Sequence, residues 1–285
     1  MMKSLLAILT LSISLVLSIE IQANTFGQDT RQLWHNTSST PYPLDKVGTL
    51  KRPDGERCTA SYIGKGLIIT AAHCVMQYGK NRLQKGDYLF EYTQIPDGHQ
   101  ETSTITRFHY VELVQLEDRG LQAADHHWAI LELSSPLSSP EHYFGYHYPG
   151  DDEYGEYHES NYGLSIVGFS PEFNGNTNAK TFSDASCDIQ EHLLDGYVAL
   201  HDCDAGPRDS GSPLYKCDVN EAGMLEKCYI YAIHIGAFSN KGIKFDNYSR
   251  SNANVAVTVK SFRKAFYYLM MGGRKPYNLK SSTND

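Results

Sequence analysis

Short apolar runs, consecutive or alternating, recur along the chain between clusters of Gly, Asn, Ser and Pro. Leu67-Ile68-Ile69, Trp128-Ala129-Ile130-Leu131 and Tyr229-Ile230-Tyr231-Ala232-Ile233 are the clearest. Strand side chains alternate between two faces and turn residues end each run, so this rhythm predicts many short β-strands and an all-β architecture. One stretch departs from it. Val259, Phe262, Phe266 and Leu269 recur at spacings of three and four, which predicts a helix over 258–271, with Thr258 placed to cap its start and Gly272 to end it. The polar remainder, 272–285, reads as a loose tail. Glu141 to Tyr162 is rich in Tyr, Asp, Glu, His and Gly and has no apolar period, so it reads as a link, with Leu164 to Phe169 opening the next structural unit. Its acidic cluster (Asp151, Asp152, Glu153, Glu156) lacks the ordered ligand spacing of a calcium loop and reads as solvated.

The first residues carry a different pattern. Lys3 precedes an apolar stretch from Leu5 to Leu17, and Ile21-Gln22-Ala23 ends in a small residue, so 1–23 reads as an export signal and the mature chain starts near Asn24. Glu20 follows the apolar stretch too closely for a bilayer anchor, so no membrane association is expected once the signal is removed. About 262 residues then remain, enough for one large domain or two fused halves. Six cysteines in an exported chain imply three disulfides in an oxidising compartment, secreted or periplasmic, although sequence alone permits fifteen pairings. No Cys-x-x-Cys spacing supports zinc. A formal net charge of −8 gives a nucleic-acid role no electrostatic footing.

Two stretches carry chemistry: Thr70-Ala71-Ala72-His73-Cys74 and Asp209-Ser210-Gly211-Ser212-Pro213. A serine hydroxyl is a poor nucleophile at neutral pH; acyl transfer through it needs an imidazole base and backbone N–H groups for the oxyanion. Alone, the first motif is a packed strand end and the second a polar turn. Together and in this order they nominate His73 as base and Ser210 as nucleophile, which requires the chain to fold back across a cleft.

The pairing resembles the chymotrypsin-like serine proteases, in which small residues precede a His-Cys pair and a Ser-Gly-x-Pro turn holds the nucleophile. The resemblance implies two six-stranded antiparallel β-barrels with a C-terminal α-helix: a double-barrel domain over 24–257, its barrels near 44–135 and 163–257 and its linker near 136–162. It implies a monomeric serine endopeptidase acting on protein or peptide substrates through an acyl-serine, with no cofactor and no metal. Around these motifs a preferred disulfide set emerges. Cys58 with Cys74 brackets the His73 strand, Cys187 with Cys203 ties the approach to Ser210, and Cys217 with Cys228 closes a hairpin after it.

The third catalytic position is unusual. The family places an acidic residue just before an apolar strand, where it orients the imidazole; here the strand is Trp128 to Leu133 and the preceding residue is His127. In one reading His127 accepts from His73, similar to the Ser-His-His arrangement of herpesvirus proteases on another fold. In a second, a bulge brings Asp125 into place. In a third, the site is degraded and the protein is a protein-binding module.

Four further positions bear on function. The oxyanion donors fall at Arg208 and Ser210, and the family has glycine where this chain has Arg208. Asp209 resembles the residue that pairs with a freed N-terminal amine in trypsins, and is otherwise a turn-stabilising carboxylate. Phe26 to Arg31, Asn36-Thr37, Pro41-Tyr42 and Cys203-Asp204 resemble bacterial glutamyl endopeptidases, which leaves activation either at the signal cleavage near Ala23 or after Arg31. For the substrate pocket, His234 in Ile233-His234-Ile235-Gly236 matches the His with which that group binds an acidic side chain. Ala205 replaces its Ser or Thr, and Asp204 falls by counting where trypsins select Arg or Lys.

Overall fold

The apolar runs between turns find partner strands in two large sheets, and a two-stranded parallel pair, Thr25–Phe26 with Lys244–Phe245, stands apart from them. The computed structural model describes residues 23–34, 42–76, 83–84, 86–93, 100–111, 121–137, 142–146, 163–170, 180–238 and 244–284. In the first sheet, β1 (Val47–Lys51), β2 (Arg57–Gly64), β3 (Leu67–Ala71), β4 (Leu89–Thr93), β5 (Gln100–Val111) and β6 (Trp128–Leu133) pair in the order β5, β4, β1, β2, β3, β6. β6 also pairs with the second half of β5, so the sheet closes as a six-stranded antiparallel barrel and the circuit has no open edge.

The second sheet holds β7 (Leu164–Gly168), β8 (Thr181–Cys187), β9 (Ile189–Leu193), β10 (Val198–His201), β11 (Pro213–Val219), β12 (Leu225–Ala237) and β13 (Asn254–Thr258), in the order β9, β10, β13, β12, β11, β7, β8, with two short strands added, Gln32–Leu33 beside β8 and Gly145–Tyr146 beside β12. Only Asp188 separates β8 from β9, so one bent segment pairs with β7 at one end and with β10 at the other. Six segments therefore complete this circuit as well. Leu50, Tyr62, Phe90 and Phe108 of the first barrel and Leu200 and Ile230 of the second belong to one continuous buried cluster.

The cysteines join as Cys58 to Cys74, Cys187 to Cys203 and Cys217 to Cys228, the last pair directly opposed across β11 and β12. Helix α1 (Val259–Met271) follows β13 and buries Val259, Phe262, Phe266 and Met270. Thr258 does not cap it: its hydroxyl donates to the Gly196 carbonyl at 2.6 Å. Gly272, at φ 80°, ends it and donates to the Tyr268 carbonyl at 2.9 Å. The helix also braces the first barrel, because Trp128 Nε1 donates to Ser261 Oγ at 3.1 Å and the Trp128 and Phe262 rings lie 6.2 Å apart.

The C-terminal segment is not the loose tail its composition suggests. Leu279–Thr283 forms β14, antiparallel to β5 in register from Leu279 opposite Val111 to Thr283 opposite Arg107, and Asn284 Nδ2 donates to the Gly86 carbonyl at 2.8 Å. An edge strand takes its backbone partners from its neighbour and here needs only one buried apolar side chain, Leu279, so hydropathy misses it. Of the predicted export signal, 1–23, all but the buried Ala23 lies outside the described residues, as do most of the predicted link and its acidic cluster. Among the described residues, no helix is long and apolar enough to cross a membrane.

Truncation after Lys275 should lower the unfolding free energy by about 2 kcal/mol or more, the worth of one buried leucine with the ladder lost in addition. Chemical denaturation of the two chain lengths measures it; equal midpoints would restore the loose tail.

Candidate active site

The register between β3 and β6 fixes the first half of the site. Ala71 pairs with Trp128, and the ladder runs without a shift from there to Leu67 opposite Glu132. Beyond the ladder the chain turns into a 3-10 segment, Ala72–Cys74, and the Ala72 N–H donates to the His127 carbonyl at 3.1 Å. His73 therefore lands beside His127. Its backbone N–H donates to His127 Nε2 at 3.3 Å, and its Nδ1 lies 2.8 Å from the same nitrogen.

A backbone amide can only donate, so His127 Nε2 is an acceptor and the proton between the rings sits on His73 Nδ1. That assignment leaves the lone pair on His73 Nε2, the tautomer that a general base requires. This nitrogen is buried and has no hydrogen-bond partner among the described residues. Arg52 Nη1 holds the His73 carbonyl at 2.6 Å, while the same guanidinium is fixed by Asp54 and Gln84 at 2.8 Å each.

Burial is the main force on both rings. It holds His73 well below its ordinary 6.5, with His127, Arg52 and His234 pushing the same way, and it takes His127 down to about 4. Both imidazoles are neutral near pH 7. His127 can thus orient His73 but offers an imidazolium a dipole in place of a full charge.

Asp125 does not reach His73. Residues Leu121–His126 form a 3-10 helix, so the alternation of an extended strand does not apply, and the unbroken β3–β6 register contains no bulge to move Asp125 forward. Its Oδ2 lies 3.6 Å from His126 Nδ1. Among the described residues, Cys58, His73 and Cys74 form the one group with metal-ligand spacing, and its two sulfurs are joined in a disulfide, so no thiolate is available.

Ser210 reaches the same place from the second barrel. Its carbonyl accepts from the Thr59 N–H at 2.9 Å and lies 3.8 Å from Cys74 Sγ, next to His73; Ser210 and His73 are each 8 % exposed. Thr59 Oγ1 donates to the Arg208 carbonyl at 3.0 Å. Arg208 adopts φ 78°, the left-handed conformation for which the family uses glycine, so the sequence departure is absorbed as backbone strain of ~1–2 kcal/mol. Within the turn, the N–H groups of Asp209, Gly211 and Ser212 donate to the carbonyls of Gly206, His234 and Asp209. The Ser210 N–H donates to none of the described residues. Gly211 is required by space: a Cβ there would lie 2.0 Å from the Thr59 carbonyl oxygen.

The pocket positions separate. His234 is buried on β12, with its Nδ1 3.1 Å from His201 Nε2 on β10. Burial lowers the pKa of both, His234 to about 3. Ala205 is buried, and Gly236 sits on the same strand as His234 at φ 147°. Asp204 is spent elsewhere: it accepts from the N–H groups of Phe26 and Thr30 at 2.7 Å each and from the Thr30 hydroxyl at 2.8 Å, anchoring the N-terminal segment. The position that counting back from Ser210 nominates for the pocket thus has its carboxylate bonded to Phe26 and Thr30. Arg31 is buried and its guanidinium engaged, so it does not offer an exposed cleavage site in the folded chain.

Arg52, Thr59 and His201 went unnoticed in the sequence. They act through contacts with distant residues, and no local motif marks them.

Two antiparallel barrels, one bringing His73 and the other Ser210 to their junction, define the chymotrypsin-like fold. A solved structure of a Glu endopeptidase in complex with MPD shares it, with a TM-score of 0.57 and 15 % identity, over 85 % of this chain and 99 % of that one. At that identity the likeness concerns the fold. The family model described as Trypsin matches residues 35–257, and the chain belongs to that family. Comparison with the curated proteins gives no match.

Replacing Arg208 by glycine removes the strained φ at the cost of some unfolded-chain entropy. Arg208→Gly should gain about 0.5–1 kcal/mol in denaturant unfolding. A loss of stability would show that the arginine side chain contributes more than its backbone costs.

Proposed function

We propose that this protein is an exported, monomeric serine endopeptidase that cleaves peptide bonds of protein or peptide substrates through an acyl-serine, with no cofactor. The observation that carries the reading is the double engagement of His127 Nε2 by the His73 backbone N–H and Nδ1, which aims a bare Nε2 away from His127. In this mechanism His73 Nε2 takes the Ser210 hydroxyl proton as Oγ attacks the substrate carbonyl. The N–H groups of Arg208 and Ser210 hold the oxyanion, and His73 returns the proton to the departing amine. Water then repeats the sequence on the acyl-enzyme. Substrate entry would bring His73 Nε2 and Ser210 Oγ within hydrogen-bond range, since such contacts are commonly long before substrate binds.

For the pocket, Asp204 is bonded to Phe26 and Thr30, which leaves the basic-substrate reading without its carboxylate. We assign His234, backed by His201 and flanked by Ala205 and Gly236, to the side chain on the acyl side of the cleaved bond. A second reading, a protein-binding module with the same cleft, draws on the altered positions His127 and Arg208 and on a His73 Nε2 that has no partner among the described residues.

A fluorophosphonate probe on the folded, oxidised protein separates the two. Native protein should be labelled and Ser210→Ala should not; His127→Ala should slow labelling by orders of magnitude, up to ~10⁴-fold as for a lost orienting group, while Asp125→Ala changes it little. Unlabelled native protein would favour the binding module. Equal rates in native and His127→Ala would remove His127 from the mechanism.

A further inference from the structure

The residue before Ser210 is a buried carboxylate, held by hydrogen bonds to one of its oxygens. Asp209 is 2 % exposed, and its Oδ2 accepts from the Gly206 N–H and from Ser170 Oγ, each at 2.7 Å. Burying a carboxylate is costly unless a cation or several donors compensate it. Gly168 leaves the space it occupies, since a Cβ there would lie 2.2 Å from Asp209 Oδ1.

Ser170 is fully buried and its hydroxyl has one proton, which goes to Asp209. It must then accept from its other neighbour, Arg31 Nη1, at 2.9 Å. Arginine only donates, so the relay has one possible direction, from Arg31 through Ser170 to Asp209. The guanidinium is itself fixed: Nε and Nη2 donate to the two oxygens of Asp29 at 2.9 and 2.7 Å. Asp204 holds the backbone just upstream through Phe26 and Thr30, and the Gly27 N–H donates to the Phe245 carbonyl at 2.7 Å. By contrast, the nitrogen that signal cleavage after Ala23 would free, Asn24 N, donates to Asn254 Oδ1 at 2.8 Å.

We propose that Arg31, acting through Ser170, is a positioning residue for the Ser210 turn: it compensates Asp209, so the turn that holds Arg208 in its left-handed conformation is set as the chain folds and requires no amine freed by cleavage. The proposal rests on Ser210 being the nucleophile. The N-terminal segment becomes part of the catalytic apparatus without touching substrate. Asp209 is the joint between them.

The test uses the full exported chain with Ser170→Ala, Arg31→Gln and Arg31→Lys, read first by amide hydrogen exchange over 204–212. Ser170→Ala and Arg31→Gln should speed exchange at Gly206 and Ser212 by tenfold or more with the rest of the second barrel still protected, and Arg31→Lys should recover part of that protection. Fluorophosphonate labelling should slow by a similar factor. A peptide boronate, which needs the oxyanion donors, should lose affinity while a product peptide of the same sequence does not. Native exchange in all three variants would overturn the proposal. So would a chain extended upstream of Ala23 that is inert while one beginning at Asn24 reacts. Absence of labelling in the native protein would sink the nucleophile reading alone, because the exchange measurement judges the relay without catalysis.

Discussion

The junction between the barrels depends on one residue of β2. Thr59 gives its N–H to the Ser210 carbonyl and its hydroxyl to the Arg208 carbonyl, and its own carbonyl accepts from Thr70 Oγ1 at 2.7 Å while Gly211 passes against it. Cys58, its neighbour, is bonded to Cys74 beside His73. The turn bearing Ser210 and the segment bearing His73 are thus referred to the same short piece of strand. Such a joint has little slack: the N–H, hydroxyl and carbonyl of Thr59 are all partnered, and the closest approach leaves no room for a side chain at Gly211.

With the His73 and Ser210 segments tied together, the departures from the family pattern acquire physical meanings. His127 keeps the geometric duty of an acidic residue, accepting two N–H groups from His73, and gives up its charge. In the proposed mechanism an imidazolium at His73 would face a dipole in place of a charge, and burial already holds the His73 pKa low. Such a base holds its neutral form into mildly acidic solution but draws a proton less strongly, a trade between pH range and driving force. Arg208 in turn takes a glycine-like conformation under strain, which persists only because Thr59 and the bonds within the turn over-determine it.

Much of this was legible in the sequence, and the boundary is instructive. Apolar runs and turn residues located the strands, and the helix announced itself by spacing. Composition could not show β14, whose partners are backbone groups of β5. That the His73 and Ser210 segments meet was legible, because the two motifs carry particular neighbours in the chain. Which of His127 and Asp125 lies beside His73 was not, because it hinges on the local backbone: a 3-10 segment up to His126 puts residue 127 level with His73. The bonds of Asp204 to Phe26 and Thr30 were not legible, because no count along the chain reveals partners so distant. Arg31 looked like a cleavage site until its burial and its bond to Ser170 were seen.

The central claim is that a neutral His127 fixes the tautomer of His73, and long-range proton–nitrogen correlation spectroscopy of the imidazoles tests it most directly. Near neutral pH the account predicts bare Nε2 and protonated Nδ1 on both rings, with His73 staying neutral as the pH falls below the ordinary histidine value of 6.5. A proton on His127 Nε2, or an imidazolium at either position at neutral pH, would contradict it.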